Sequence, residues 1–385
     1  MFDKKVFEYF DRLILFCRKL GASPFDWDGK TRQLFSTKKD TRKARFELFV
    51  KIAYTIYCVT KAILLRGNLN YFNICLVFGY AFCLNCLISM PATIYEKGLA
   101  AVVNCSCRFI LQYQERWYDL KDPYLLKLNT YMIQSFQALA ISLSLAWTFA
   151  MWMYLWAPLT PPLPYEGLPS FLQGWISYLV VGYWYCFLIM KASATIVLTA
   201  IITLIYIICL FPIITNHLRA DVPVLSRNFE KLRNPKNLSL VYRCVEIWHA
   251  VFLENCGYLL IPIQFLVAQF ALLVNYLVIT KWYVMQDAAI FCMMFTSFIV
   301  QGGWLGFTTF GAWFRDNSIK VLQSWNNIPG TSKAEMKYMD KFRKSCRPLY
   351  IGHPGMFKIT RATVLKYIQG VSRGTFNVLL GLEDA

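Results

Sequence analysis

The sequence predicts an all-α membrane protein with seven transmembrane helices. Of its 385 residues, 57% are hydrophobic and 17% are aromatic, and the mean hydropathy is +0.41; soluble domains are about 45–50% apolar. Apolar stretches long enough to cross the roughly 30 Å core of a bilayer recur along the chain. The basic residues behind the net charge of +18 lie between these stretches. They therefore indicate a membrane orientation rather than a nucleic-acid surface.

The distribution of lysine and arginine predicts which side of the membrane each connection faces. Four connections hold 33 of the 40 Lys and Arg residues, namely 1–45, 95–128, 216–248 and 315–361. The alternate loops hold two in all, and they are 66–70, 158–170 and 280–287. Because basic connections stay in the cytosol, we predict a cytosolic N-terminus and an extracellular C-terminus. That orientation is the inverse of a G-protein-coupled receptor.

Residues 1–45 form a predicted cytosolic arm that contains an amphipathic helix. Apolar residues recur at helical spacing between positions 3 and 20, and Pro24 ends the pattern. Such a helix either lies in the inner membrane interface or packs against the bundle. Acidic residues interrupt its apolar positions and no small-residue cleavage site follows, so we predict no secretory signal.

Six predicted spans between residues 46 and 314 form a bundle. They are 46–65, 71–94, 130–156, 171–215, 250–279 and 288–314. The fourth stretch is interrupted only by Lys191 and contains no turn signal. We therefore predict one long helix there rather than two spans. Lys51 and Lys61 are expected to extend toward the ends of the first span, and Pro262 is expected to kink the fifth.

No cluster in the sequence points to an enzyme, a cofactor or a metal site. The histidines at 217, 249 and 353 are far apart in the sequence, and the pair Cys105 and Cys107 has no second pair to complete a metal site. No Gly-rich phosphate loop, catalytic triad spacing or acid pair stands out. The 13 cysteines lie in apolar stretches or in predicted cytosolic connections, so free thiols are expected.

The last apolar stretch, within 355–385, is a poor lone transmembrane helix. Lys366 and Arg373 lie inside it, and each costs about 2.5–3.5 kcal/mol at the centre of a span that faces lipid. Such a helix must be sheltered by protein or line water. One helical face carries Leu365, Gln369, Ser372, Phe376, Leu379 and Glu383. Both a pore lining and a core helix with satisfied polar groups fit this pattern.

Short motifs near the end of the chain match those of a known superfamily. Thr375-Phe376 is followed by five residues and then by Leu382-Glu383, where insect-type gustatory receptors carry Thr-Tyr, five apolar residues and Gln-Phe. The threonine and the aromatic residue match, and the Gln-Phe pair does not. Ser324-Trp325, Phe342-Arg343-Lys344 and Arg347-Pro348-Leu349 look like the cytosolic helix before the last span. With seven spans in this orientation, the chain resembles the insect-type odorant and gustatory receptor superfamily.

The resemblance implies a homo- or heterotetrameric ligand-gated cation channel in the plasma membrane of sensory neurons. A gustatory role is favoured over an odorant one. The chain then divides into an arm (1–45), a ligand-sensing bundle (46–314), a cytosolic anchor between subunits (315–354) and a pore-lining span with an extracellular end (355–385). The implied pore and gate residues are Gln369, Ser372, Thr375, Phe376, Leu379, Leu382 and Glu383, with Leu379 at the gate.

In that superfamily a small tastant or odorant binds among the outer halves of spans 2, 3, 4 and 6. The candidates in this chain are aromatic or polar residues assigned to those halves, and Lys191 is a partner for an acidic ligand because an ionisable residue inside a span needs a partner. The set is Tyr80, Trp147, Met151, Tyr154, Tyr178, Tyr183 and Lys191. Each aromatic residue also fits ordinary packing or an interfacial belt.

Two other membrane-protein classes are alternatives. A secondary transporter favours inverted repeats and acidic residues near the membrane midplane. No repeat stands out, and Glu254 lies near the end of a predicted span. A G-protein-coupled receptor needs the opposite orientation. An enzyme is the class with least support.

Overall fold

The computed structural model describes residues 4–117, 123–223, 227–280, 287–328, 332–353 and 355–383. Within these ranges nearly all regular structure is helical, which confirms the predicted all-α class. The α-helices are α1 (Lys4–Lys19), α2 (Lys38–Leu64), α3 (Leu69–Thr93), α4 (Glu96–Trp117), α5 (Pro123–Trp156), α6 (Trp175–Pro212), α7 (Arg227–Leu232), α8 (Pro235–Cys256), α9 (Leu260–Thr280), α10 (Asp287–Ser324), α11 (Lys333–Ser345) and α12 (Arg361–Glu383).

Two short antiparallel hairpins interrupt the helices. β1 (Phe25–Asp28) pairs with β2 (Gln33–Ser36), and β3 (Gly352–His353) pairs with β4 (Phe357–Lys358). The first hairpin begins directly after Pro24, where the helical pattern was predicted to end. The second lies directly before α12.

Six of the seven predicted spans centre on α2, α3, α5, α6, α10 and α12, and the fifth, 250–279, begins on α8 and continues on α9. The fourth stretch is a single helix from Trp175 to Pro212, followed by one π-helical turn, so the prediction of one long helix is confirmed. By length and composition alone, three helical stretches of the described ranges are apolar enough to cross a membrane, and they are Tyr71–Thr93, Trp175–His217 and Pro235–Thr280.

The helical irregularity expected at Pro262 lies about one turn before it, as a 3-10 turn, Gly257–Leu259, that separates α8 from α9. Pro262 lies in the first turn of α9, where a backbone N–H has no partner within the helix and its loss breaks no bond. A Cβ on Gly257 would lie 2.6 Å from the carbonyl oxygen of Gly352. The glycine therefore lets the second hairpin approach the break.

The bundle is built from helix pairs that share neighbours. Helix α2 packs along α3, and α5 packs along α6. Helix α3 also contacts α6 and α9, while α12 contacts α9 and α10. The largest buried cluster lies among α4, α6, α8 and α10, and it includes Tyr206, Tyr242 and Trp248. Helix α9 therefore lies between α3 and the last helix and contacts both.

Helix α1 packs against the bundle, which decides between the two predicted locations. The apolar side chains Val6, Phe10, Ile14 and Cys17 are buried. The Cys17 thiol donates to the carbonyl oxygen of Ala194 in α6 at 3.7 Å. Burial raises the pKa of this thiol to about 12, so it stays protonated and unreactive at neutral pH.

Lys51 does not extend to a membrane surface as expected. Its side chain is 2% exposed, and its ammonium donates to the hydroxyl oxygens of Ser89 and Thr195 at 3.1 Å each. The lysine thereby joins α2, α3 and α6 by polar contacts inside the bundle. The burial of Lys51 could not be predicted from local sequence, because its partners Ser89 and Thr195 are distant from it in the chain.

The motif residues before the last helix form one packed unit. The Trp325 indole N–H donates to the carbonyl oxygen of Leu218 at 2.9 Å, and its ring lies edge-on to Tyr242 with centroids 5.1 Å apart. The Tyr242 hydroxyl donates to the carbonyl oxygen of Arg347 at 2.9 Å. At the start of α12, Arg361 pairs with Asp316 of α10 at 2.6 Å. These contacts tie the base of α12 to α8 and α10.

Candidate functional site

A group of aromatic side chains, called the tyrosine cluster below, lies where α2, α5, α6 and residues 157–174 meet. Its members are Tyr54, Tyr57, Tyr154, Tyr165, Tyr178 and Tyr185. The rings of Tyr154 and Tyr178 have centroids 5.1 Å apart, and the Tyr154 hydroxyl donates to the carbonyl oxygen of Tyr178 at 2.7 Å. Met151 packs against the cluster. Three of the seven predicted ligand residues are therefore brought together.

Gly182 makes room for the Tyr154 ring. A Cβ at this position would lie 2.3 Å from the Tyr154 Cε1 atom, which is far inside van der Waals contact. Helices α5 and α6 approach closely at this level because the glycine carries no side chain. The position of Tyr154, and with it the hydrogen bond to Tyr178, therefore depends on one residue of α6.

The segment 157–174 covers the tyrosine cluster and is fixed to α2. The Tyr54 hydroxyl donates to the carbonyl oxygen of Pro162 at 3.1 Å. Near the end of α2, Lys61 forms an ion pair with Glu166 of the segment at 2.6 Å. Lys61 had been expected to extend toward the membrane surface, and it does lie near the end of its helix. Its role in fixing the covering segment could not be predicted from spacing.

The Tyr57 hydroxyl is an unused polar group at this site. It is buried and has no hydrogen-bond partner among the described residues. A Cβ on Gly167 would lie 2.9 Å from this oxygen, so a larger residue at position 167 would crowd the hydroxyl. Because a buried hydroxyl without a partner costs roughly 1–3 kcal/mol, a bound molecule with a polar group would gain by bonding to it.

The other predicted ligand residues lie elsewhere. Tyr80 packs in a separate apolar cluster with residues of α9 and α10. Tyr183 is 75% exposed, and its ring stacks on Phe187 of the same helix. Trp147 is also exposed on the outside of α5. These three side chains do not contribute to the tyrosine cluster in the single chain.

One face of α12 packs against α9 and α10. Its buried or half-buried residues recur at helical spacing and are Tyr367, Val371, Gly374, Thr375 and Val378. A Cβ on Gly374 would lie 2.7 Å from the Leu272 Cδ2 atom, so the glycine permits the close approach of α9. Thr375 had been grouped with the pore residues, but its side chain lies on this packing face.

The opposite face of α12 is exposed in the single chain. It carries Leu365, Gln369, Ser372 and Phe376, and the charged side chains of Lys366 and Arg373 are exposed beside it. Leu379 is half-buried at its edge. Leu382 and Glu383 belong to the helix, but their side chains lie outside the described residues.

Comparison by sequence matches no protein-family model and no curated protein. Comparison by structure matches solved olfactory receptors over nearly the whole chain. The insect olfactory receptor OR5 from Machilis hrabei in complex with eugenol gives a TM-score of 0.65 at 12% identity, covering 98% of each chain. A second OR5 structure gives 0.63 at 12% identity, covering 97% of this chain and 98% of the other.

The chain has the insect olfactory receptor fold. The resemblance predicted from the terminal motifs and the orientation is thus confirmed at the level of fold. The matched proteins are olfactory receptors.

Within the olfactory receptor fold, Lys191 lies apart from the tyrosine cluster. It is six residues beyond Tyr185, the last cluster tyrosine on α6, which places it about 9 Å further along the helix. Its ammonium pairs with Glu47 of α2 and lies 4.3 Å from the centroid of the Phe187 ring. Lys191 therefore has an anionic partner in the chain, and an acidic ligand would have to compete with Glu47.

A chain of polar side chains crosses from α10 through α9 to α12 in this receptor fold. The Gln301 amide donates to Asn275 Oδ1 at 3.2 Å, and the Asn275 amide donates to Thr375 Oγ1 at 3.3 Å. The Thr375 hydroxyl in turn donates to the carbonyl oxygen of Val371 at 2.8 Å. Asn275 and Gln301 were not singled out from the sequence, although amides inside apolar stretches are the signal of such contacts.

Proposed function

We propose that this chain is one subunit of a tetrameric, ligand-gated cation channel that senses a small organic molecule. The observation that supports this most is the division of α12 into two faces. One face packs on α9 and α10, while the other leaves Gln369, Ser372 and two basic side chains uncovered by the chain itself. Polar and charged side chains are costly to expose to lipid. We therefore propose that this face lines a water-filled pore formed with further copies of the chain.

The proposed orientation places the N-terminal arm and residues 315–354 in the cytosol, with seven helices crossing the plasma membrane. The support is the concentration of basic residues on one set of connections. In this arrangement residues 157–174 and the tyrosine cluster lie at the extracellular side, where a dissolved stimulus arrives. The base of α12 lies at the cytosolic side.

The orientation has a direct test in two glycosylation sequons, Asn104-Cys105-Ser106 and Asn237-Leu238-Ser239. We expect neither to carry a glycan. The Asn104 amide is also engaged, because it donates to the carbonyl oxygen of Leu34 and accepts from the Leu34 N–H. Glycosidase treatment of the protein from animal cells should leave its electrophoretic mobility unchanged. A mobility shift that disappears in Asn237→Gln would contradict the orientation.

The proposed ligand is a small, mainly apolar molecule with an aromatic ring and one polar group. The tyrosine cluster offers ring faces for stacking and the unpaired Tyr57 hydroxyl for one hydrogen bond. Because the rings pack against each other, the ligand would enter by displacing Tyr154, Tyr178 or the covering segment. The OR5 structure with eugenol shows that a receptor of this fold binds an aromatic molecule, and Thr375-Phe376 still favours a gustatory role.

The pore is tested by Leu379→Ser in cells that express the chain. Four leucines around an axis form an apolar constriction that closes by excluding water. A serine ring is easier to wet, so we expect the current without ligand to rise about tenfold or more, which corresponds to lowering the barrier by ~1.4 kcal/mol. Leu145→Ser is the matched control, because Leu145 is an exposed leucine on α5 and its variant should show no leak.

Glu383 provides a second measurement on the same pore. Four carboxylates at the outer mouth would concentrate cations. Glu383→Gln should therefore lower single-channel cation conductance, and Glu383→Lys should lower it more, chiefly at low ionic strength where screening is weak. Unaltered conductance and reversal potential in both variants would remove Glu383 from the conduction path.

A further inference from the structure

A basic cleft of about 420 Å³ lies between the end of α1, the start of α2 and the middle of α6. Its charged and aromatic lining residues are Lys19, Arg42, Lys43, Phe46, Glu47 and Lys191. Four cationic side chains therefore face one carboxylate. The volume falls within the ~300–1,000 Å³ typical of small-molecule sites.

The cations of the basic cleft are only partly neutralised. Glu47 is paired with Lys191, and Lys43 lies 4.0 Å from a carboxylate oxygen of Asp40, at the limit of an ion pair. Among the described residues, Lys19 and Arg42 form no ion pair, and both side chains are exposed. The cleft thus retains positive charge that an anion would neutralise.

The basic cleft lies about one bilayer thickness from the contact between α2 and the covering segment 157–174. Arg42 and Lys61 are both on α2, and the 19 residues between these positions correspond to about 28 Å of helix. Lys61 marks the other end of the bundle through its ion pair with Glu166. Since the hydrocarbon core is ~30 Å thick, the cleft lies at the membrane interface opposite the covering segment.

An exposed apolar stripe on α2 begins at the basic cleft. Its side chains recur at helical spacing between the cleft and the end of the helix, and they are Phe46, Phe49, Ile52, Ile56, Val59 and Ile63. Phe46 belongs both to the stripe and to the cleft lining. An acyl chain could therefore lie along α2 while its headgroup occupies the cleft. A soluble anion would make no use of the stripe.

We propose that the basic cleft binds the headgroup of an anionic phospholipid, of the multiply phosphorylated inositol class, in the cytosolic leaflet. Lys19, Arg42 and Lys43 contact the phosphates, and Phe46 contacts the first carbons of the acyl chains. The assignment to the cytosolic leaflet rests on the proposed orientation, whereas binding itself does not. The lipid would connect α1 to α2 and thereby tie the N-terminal arm to the ligand-sensing bundle.

The test is native mass spectrometry of the purified full chain in detergent with a short-chain phosphatidylinositol bisphosphate. Replacing Lys19, Arg42 and Lys43 together by glutamine should weaken binding by on the order of tenfold to a hundredfold, because each basic residue near a membrane surface contributes up to about fivefold. The matched control replaces Lys333, Lys337 and Lys341 on the exposed face of α11 by glutamine. It removes the same charge and should bind as the unmodified chain does.

Three outcomes would overturn the proposal. They are equal binding by the unmodified chain and the cleft variant, an equal loss in the α11 control, and equal affinity for short-chain phosphatidylcholine. Inositol trisphosphate distinguishes the two sources of phosphate, since affinity equal to that of the lipid would make the site one for a soluble anion. Size-exclusion profiles establish that the variants are folded. No step depends on currents, so a chain that fails as a channel still tests the lipid site.

Discussion

Replacing Gly182 by alanine should lower the free energy of unfolding by about 1–3 kcal/mol. A Cβ at this position lies 2.3 Å from the Tyr154 ring, so the ring or helix α6 must move. Overpacking of this kind costs about 1–3 kcal/mol. The displaced Tyr154 hydroxyl also loses its bond to Tyr178, worth about 1 kcal/mol, and the higher helix propensity of alanine offsets about the same amount. The measurement is the thermal unfolding of the purified protein in detergent.

Two comparisons separate this clash from the general effect of adding a methyl group. Gly302→Ala in α10 is the matched control, because no atom lies within 4 Å of its built Cβ and alanine favours a helix over glycine. In the background of Tyr154→Ala, the further change Gly182→Ala should cost almost nothing, since the opposing ring is gone. Additive losses in that double variant would contradict the assignment of the clash to Tyr154.

Lys191→Met should destabilise the bundle rather than remove only a ligand contact. The side chains of Lys191 and Glu47 are 12% and 15% exposed, and removing one partner of a buried pair leaves an uncompensated charge that costs about 3–5 kcal/mol. Because both side chains keep some exposure, we expect a loss of ~3 kcal/mol in the free energy of unfolding. It should be visible as a lower thermal midpoint and reduced surface expression. Adding Glu47→Gln to Lys191→Met should recover most of this loss, because both charges are then absent.

Lys344→Met provides the control for that substitution. Lys344 pairs with Asp340 on α11 at 2.7 Å, but its side chain is 69% exposed. Exposed pairs contribute about 0–1 kcal/mol, so the midpoint should barely move. If Lys191→Met left stability intact and weakened only the response to an acidic ligand, Lys191 would regain its place as a ligand residue.

The fold was predictable from the sequence because its main signals are local. Apolar length and the absence of turn residues over 171–215 were enough to predict one long helix, and α6 is that helix. The terminal motifs and the charge distribution were enough for the superfamily resemblance. The close approach of Gly352 to Gly257 at the helix break was not predictable from local pattern, because the two glycines are 95 residues apart.

The site was less predictable because its contacts join distant parts of the chain. The family motif assigned Thr375 to the pore group, whereas in the structure Thr375 bonds to Asn275 of α9 and lies on the packing face. The partner of Lys191 is Glu47, which stands 144 residues before it. Tyr154 and Tyr178 were found from their residue type, but the covering contact of Tyr54 with Pro162 depends on how a proline-rich loop folds back.

The hydrogen bonds of Thr375 add little to the free-energy cost of rotating α12. Its hydroxyl donates to Val371 within the same helix, so this bond turns with the helix and is never broken. Only the bond from Asn275 is lost, and such bonds between membrane helices average about 0.6 kcal/mol, close to the thermal energy at room temperature. The energy that separates two angular positions of α12 must therefore come mainly from its packing on α9 and α10, and a bound molecule shifts their populations only by its difference in affinity for the two.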